Sequence, residues 1–178
     1  LKTDNLTFLG GAEVRQDTDG NHYLAIRQGA YFLWNYDQKW DPSQFVVYEF
    51  DVASSDHGSV VLRMNSDNGR SDYFLRWRAD HTITPAHPAT QEKLAKGEYV
   101  NMAFAFNAAN NTYSVWYDDI LVVHNAKLPA SDWGELTDTR FEMTTGSSTS
   151  LVKVDNLKIY QGLSPADYAN TVQLTEQP

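Results

Sequence analysis

The chain has 178 residues, a formal net charge of −9, no cysteine, 21% charged and 13% aromatic residues. That is enough length for one well-buried domain and a composition that excludes disorder, thiol catalysis, cysteine-ligated zinc and disulfides. The acidic balance argues against nucleic acid or an anionic membrane surface as a partner, and no apolar run is long enough to span a membrane.

Taken in chain order, nearly every apolar segment alternates with period two, the mark of half-buried antiparallel strands. After a first strand in the opening stretch comes "HYLAIRQ". "VVYEFDV" sets Tyr48, Phe50 and Val52 opposite Val47, Glu49 and Asp51. "SVVLRMN" sets Val60, Leu62 and Met64 opposite Val61, Arg63 and Asn65. "DYFLRWR" sets Tyr73, Leu75 and Trp77 opposite Phe74, Arg76 and Arg78. "YVNMAFAFN" puts Met102, Phe104 and Phe106 on one face. "TYSVWYDDILVVHN" reads as a hairpin turning at Asp118-Asp119, and "RFEMTT" as a further strand. Turn clusters such as "SSDHG", "NSDNGRSD" and "NAANN" separate these runs. Helix signals are confined to one turn in "PATQEKLAKG" and to "SPADYANTV", where Ser164 caps and Pro165 starts a helix.

The last strand, "LVKVDNLKIYQG", breaks phase. Val152 and Val154 keep one register, whereas Leu157 and Ile159 continue it one residue late. A bulge at Asp155-Asn156 absorbs the slip and turns two polar side chains out of the regular pattern. Short strands between turn clusters predict an all-β, two-sheet antiparallel β-sandwich of jelly-roll form, over residues 1–163, with 164–178 as a tail or linker.

Three pieces in order, "FVVYEFDV" (45–52), "GEYVNMAFAFNAANNTYSVWYDDILV" (97–122) and "VKVDNLKIYQG" (152–162), resemble the concanavalin A-like lectin/glucanase superfamily. This is the jelly-roll group of laminin-G-like modules, carbohydrate-binding modules, and some glycosidases and polysaccharide lyases. The resemblance covers roughly residues 14 to 162 and implies the fold more than the function. It implies that the final strand pairs near the N-terminal one and that an Asp there supports a structural calcium or caps a turn. Asp155 would take that place. In "QDTDGNHY", Asp17, Asp19 and Asn21 stand at alternate positions around Gly20, a spacing that suits a hard cation. The alternative is an Asp/Gly hairpin turn beside a bulge closed by hydrogen bonds alone.

The glucanases of the superfamily carry a Glu-x-Asp-x-x-Glu strand that supplies two carboxylates. Here the string is Glu49-Phe50-Asp51-Val52-Ala53-Ser54, and the second Glu is missing. The jelly-roll alginate lyases use Gln-x-His, which is absent. His22, His57, His81, His87 and His124 lie in or beside predicted turns, so no acid/base pair is named.

Arg63, Arg76 and Arg78 share the outward phase of two consecutive strands, with Asn65 beside them. Either they form a ladder of ion pairs with Glu49 and Asp51, or they line a cationic groove on the concave sheet that grips the carboxylates or sulfates of an acidic sugar. Trp34 and Trp40, in an aromatic loop "YFLWNYDQKWDP", and Trp116, in the outward phase of its strand, are candidates for stacking on a sugar ring.

The expectation is a noncatalytic carbohydrate-binding module that binds a poly- or oligosaccharide, a monomeric unit cut from a larger secreted or cell-surface polysaccharide-degrading enzyme. Alternatives are a lyase or hydrolase of the same superfamily and a laminin-G-like adhesion domain. Starting at Leu1 rather than Met, the chain is expected to be part of a longer precursor.

Overall fold

The computed structural model describes residues 5–40, 46–54, 59–77, 83–84, 97–107, 110–128, 132–145 and 149–161. The described chain is built of strands: β1 (Leu6–Leu9), β2 (Glu13–Gln16), β3 (His22–Arg27), β4 (Tyr31–Trp40), β5 (Val46–Ser54), β6 (Ser59–Ser66), β7 (Ser71–Trp77), β8 (Ile83–Thr84), β9 (Val100–Asn107), β10 (Thr112–Tyr117), β11 (Ile120–Lys127), β12 (Leu136–Thr145) and β13 (Leu151–Gln161). They form a six-stranded sheet, β1-β4-β12-β6-β7-β8, and a seven-stranded sheet, β11-β10-β9-β5-β13-β3-β2. Every pairing is antiparallel. This is the two-sheet jelly-roll sandwich expected. The two short helical stretches and the 164–178 tail lie outside the described residues.

The core is what the alternation dictates. Tyr48, Phe50 and Val52 of β5, Met102 and Phe104 of β9, Leu62 and Met64 of β6, and Val152 and Val154 of β13 are buried together between the sheets. Phe50 stands edge-on to Phe141 at 5.1 Å, and Phe141 stacks on Phe32 at 4.7 Å. Tyr36 donates to the Tyr48 hydroxyl (2.8 Å) and also bonds Thr139, so the buried phenols and the buried threonine satisfy one another. The β10–β11 hairpin turns where expected, with Asp118 and Asp119 both at positive φ (45° and 64°).

Two expectations need correction. "YFLWNYDQKW" is not a loop: it is β4, held between β1 and β12. Its clustered aromatics look like loop packing in sequence, but Phe32, Trp34 and Tyr36 simply occupy one phase of a strand. Secondly, β5 and β6 follow each other in the chain but belong to different sheets. Glu49 and Asp51 therefore cannot form a ladder with Arg63 or Arg76. Consecutive strands of a sandwich often cross between layers, and a one-dimensional pattern does not record the crossing.

The phase break in β13 is a bulge. Asp155 pairs with Asp51, and Lys158 pairs with Glu49, so three steps on β13 match two on β5. Asn156 takes a left-handed φ of 50° to absorb the extra residue, and Asn is one of the few non-glycine residues that does so readily. Leu157 thereby returns to the core.

Candidate functional site

Two outward faces carry the residues singled out by sequence. On the six-stranded sheet, β6 presents Val61, Arg63 and Asn65, and its neighbour β12 presents Asp138, Arg140 and Glu142. Arg63 stands directly opposite Arg140, Asn65 opposite Asp138, and Val61 opposite Glu142. On the other flank of β12, Arg140 faces Leu33 and Glu142 faces Tyr31 of β4. The Arg140 guanidinium lies over the Tyr31 ring, 3.6 Å from its centroid, and its Nη2 meets Glu142 Oε1 at 3.0 Å. Asn65 Nδ2 donates to Asp138 Oδ1 at 2.5 Å, and the Thr137 hydroxyl donates to the same carboxylate at 2.9 Å. Like charges directly across a strand pair repel. Here two arginines face each other beside an aromatic ring, with Asp138 and Glu142 flanking Arg140 on its own strand.

Arg76 lies opposite Val61 on β7, so its backbone position is one pleat along from Arg63, as the shared phase implied. The pairing of β7 also slips: Leu62 faces Leu75, but Arg63 faces Tyr73, which leaves Phe74 as an extra residue. Arg78 lies outside the described residues. Sequence reading missed Arg140 and Tyr31. The phase of "RFEMTT", with Phe141 inward, already turned Arg140 outward. What was hidden is that β12 lies beside β6.

On the seven-stranded sheet the outward face holds Trp116, only 7% exposed, against Val47, Ala103 and Ala105. Trp116 and Arg63 therefore stand on different sheets and cannot line one groove. So deep a ring leaves little face for stacking on a sugar. Trp34 shares the inward phase of Phe32 and Tyr36, with its ring edge-on to Tyr36 at 6.4 Å, so it belongs to the packing rather than to the Arg63 face. Trp40 ends β4 opposite Leu136.

Beside Trp116 the same face becomes polar. Asp51 accepts from the amides of Asn101 (2.9 Å) and Asn156 (2.7 Å), and Glu49 accepts from Asn101 (3.3 Å) and pairs with Lys158. Asp155 Oδ2 accepts from Asn21 Nδ2 at 2.8 Å, and its Oδ1 caps the Asn156 backbone N–H at 2.8 Å. Asp17 Oδ1 accepts the Asn21 N–H at 3.0 Å. The residues expected at a metal site, Asp17, Asp19, Asn21 and Asp155, are thus gathered at one corner. A hydrogen bond between the two carboxyls raises the pKa of Asp17 and lowers that of Asp19. Partial burial, with Asp155 and Asp17 nearby, pushes the Tyr99 phenol up to about 12. Two facing carboxyls are a donor set that a hard cation suits. Among the described residues no three acidic or histidine side chains converge on one point, so water or amide and backbone oxygens would have to complete the shell.

No family model matches the chain, and no curated protein matches it in sequence. Solved structures do match in fold. A structure described as a sialidase is 13% identical with a TM-score of 0.63, over 97% of this chain and 19% of that one. The carbohydrate recognition domain of Emp46p, in a potassium-bound form, is 10% identical with a TM-score of 0.57, over 90% of this chain and 90% of that one. The binding domain of botulinum neurotoxin DC in complex with SialylT is 8% identical with a TM-score of 0.56, over 96% of this chain and 46% of that one. The chain thus spans about a fifth of the sialidase and under half of the toxin domain. What the chain shares with these structures is the fold, a two-sheet antiparallel sandwich.

Proposed function

We propose that the chain is a noncatalytic carbohydrate-binding module, and that it holds an acidic poly- or oligosaccharide on the outward face of the six-stranded sheet. The observation that carries this reading is the direct opposition of Arg63 and Arg140, with Arg140 stacked on Tyr31. A ladder built only for stability would alternate signs. A pair of arginines side by side suits an anionic ligand, whose carboxylate or sulfate each planar fork can meet in bidentate fashion. Similar folds support a saccharide partner: one is described as a carbohydrate recognition domain, another as a complex with a sialyl ligand.

A place within a larger secreted polysaccharide-degrading enzyme belongs to the same proposal. A calcium ion at the Asp17–Asp19 corner, near Asp155, is also proposed. It would sit between the two carboxylates and brace the N-terminal hairpin against β13.

The test is calorimetric titration of wild type and Arg63→Ala with uronate-containing glycans and their neutral counterparts. Loss of one charge-assisted contact should weaken uronate binding by about 1.5–3 kcal/mol and leave neutral glycans unchanged. Equal affinity of both proteins for every acidic glycan would remove this face as the site.

A further inference from the structure

The same face contains a carboxylate that already sits where the ligand's should. Glu142 lies two residues beyond Arg140 on β12 and places Oε1 3.0 Å from Arg140 Nη2. Both side chains are partly exposed, at 24% and 21%. The cross-strand neighbours of Glu142 are Tyr31 and Val61, neither of which is a cation. Arg140 is thus its one charged partner among the cross-strand and same-strand neighbours. The fork is also only partly used: Arg140 Nε is buried and has no hydrogen-bond partner among the described residues. An unsatisfied buried N–H is costly, and a carboxylate meeting Nε and Nη2 together would relieve it.

We infer that Glu142 is a built-in competitor for the Arg140 subsite, a stand-in for the carboxylate of an acidic sugar that must turn away before the ligand engages. The inference rests on the reading of this face as an acidic-glycan site and adds which group of the ligand is read and what limits its affinity. On binding, the ligand carboxylate takes the Nε–Nη2 edge, the guanidinium remains over Tyr31, and Glu142 rotates to solvent. No bond is made or broken. Selectivity follows from the exchange. A carboxylated sugar replaces one carboxylate by another, whereas a neutral sugar would strand Arg140 without a counter-charge and so does not displace Glu142.

The experiment titrates wild type, Glu142→Gln and Arg140→Ala with a panel of uronate-bearing, sialyl and neutral oligosaccharides, with a thermal melt of each variant as a folding control. Glu142→Gln keeps the shape and removes the charge. It should tighten the carboxylated glycans by roughly two- to fivefold, the change expected on losing a partly exposed ion pair, and leave the neutral ones unaltered. Arg140→Ala should weaken the carboxylated glycans. If wild type binds carboxylated glycans and Glu142→Gln binds them equally or more weakly, the competitor is overturned and the acidic-glycan reading stands. If no carboxylated glycan binds to wild type or to Glu142→Gln, the reading and the inference fall together.

Discussion

Asp155 accepts one hydrogen bond from Asn21, far back in the N-terminal hairpin, and one from its own neighbour Asn156. It is only 9% exposed, and its removal would take one acceptor from two donors, on the more exposed Asn21 and Asn156. Asp155→Ala is expected to cost about 1–3 kcal/mol, measured by urea unfolding. Asp155→Asn should recover part of that loss, because one oxygen remains. A loss well below that range for the alanine variant would show that water replaces both bonds. This residue was picked out in the sequence because a polar pair interrupted an apolar alternation. Its partner, Asn21, was picked out for a different reason, its spacing from Asp17 and Asp19. That the two meet is a fact of pairing: β13 lies beside β3.

At the scale of the strand, β9 and β5 show how far alternation goes. Met102 and Phe104 are fully buried, and Phe104 stacks on Tyr113 at 5.4 Å and leans on Tyr48 at 6.4 Å. Tyr48 and Phe104 were placed in their phase by counting residues; Tyr113 was not. Phe104→Ala is expected to destabilise by about 3–5 kcal/mol in equilibrium unfolding, since a close-packed interior cannot collapse onto so large a void. A cost near 1 kcal/mol would mean that the sheets close up over it. The outward phase of the same strands was less legible. Ala103 and Ala105 are outward yet 1% exposed, since Trp116 and Val47 pack with them on a second, smaller cluster. An outward position predicts exposure only when nothing lies over the sheet, and alternation is blind to that.

For the whole molecule, the corner where the N-terminal hairpin meets β13 is where a cation would act. Calcium bound to the native state alone raises stability by RT ln(1 + L/Kd), where L is its free concentration, and so increasingly as L rises. A melt in millimolar calcium should therefore run at a higher temperature than one in excess chelator, and Asp17→Asn should abolish the difference. Identical curves would show that the corner is held by its hydrogen bonds alone. The net charge of −9 works in the same direction, because a bound cation offsets repulsion in the compact state. It does not oppose an acidic ligand on the far face, since charges are screened beyond about 8 Å at physiological salt.

The sequence by itself determined the class of fold, the phase of the strands, the hairpin at Asp118-Asp119 and the bulge at Asp155-Asn156. All of these are local: a two-residue period, a turn pair that tolerates positive φ, and a one-residue slip can be read along the chain. Tertiary structure alone decided which strands share a sheet. It parted Arg63 from Trp116 and from Glu49 and Asp51, turned the supposed aromatic loop into β4, and set Arg140, Glu142 and Tyr31 beside Arg63. The physical reason is that sheet neighbours are chosen by hydrogen bonds between segments far apart in the chain, and each strand's alternation is equally well satisfied in either layer of the sandwich.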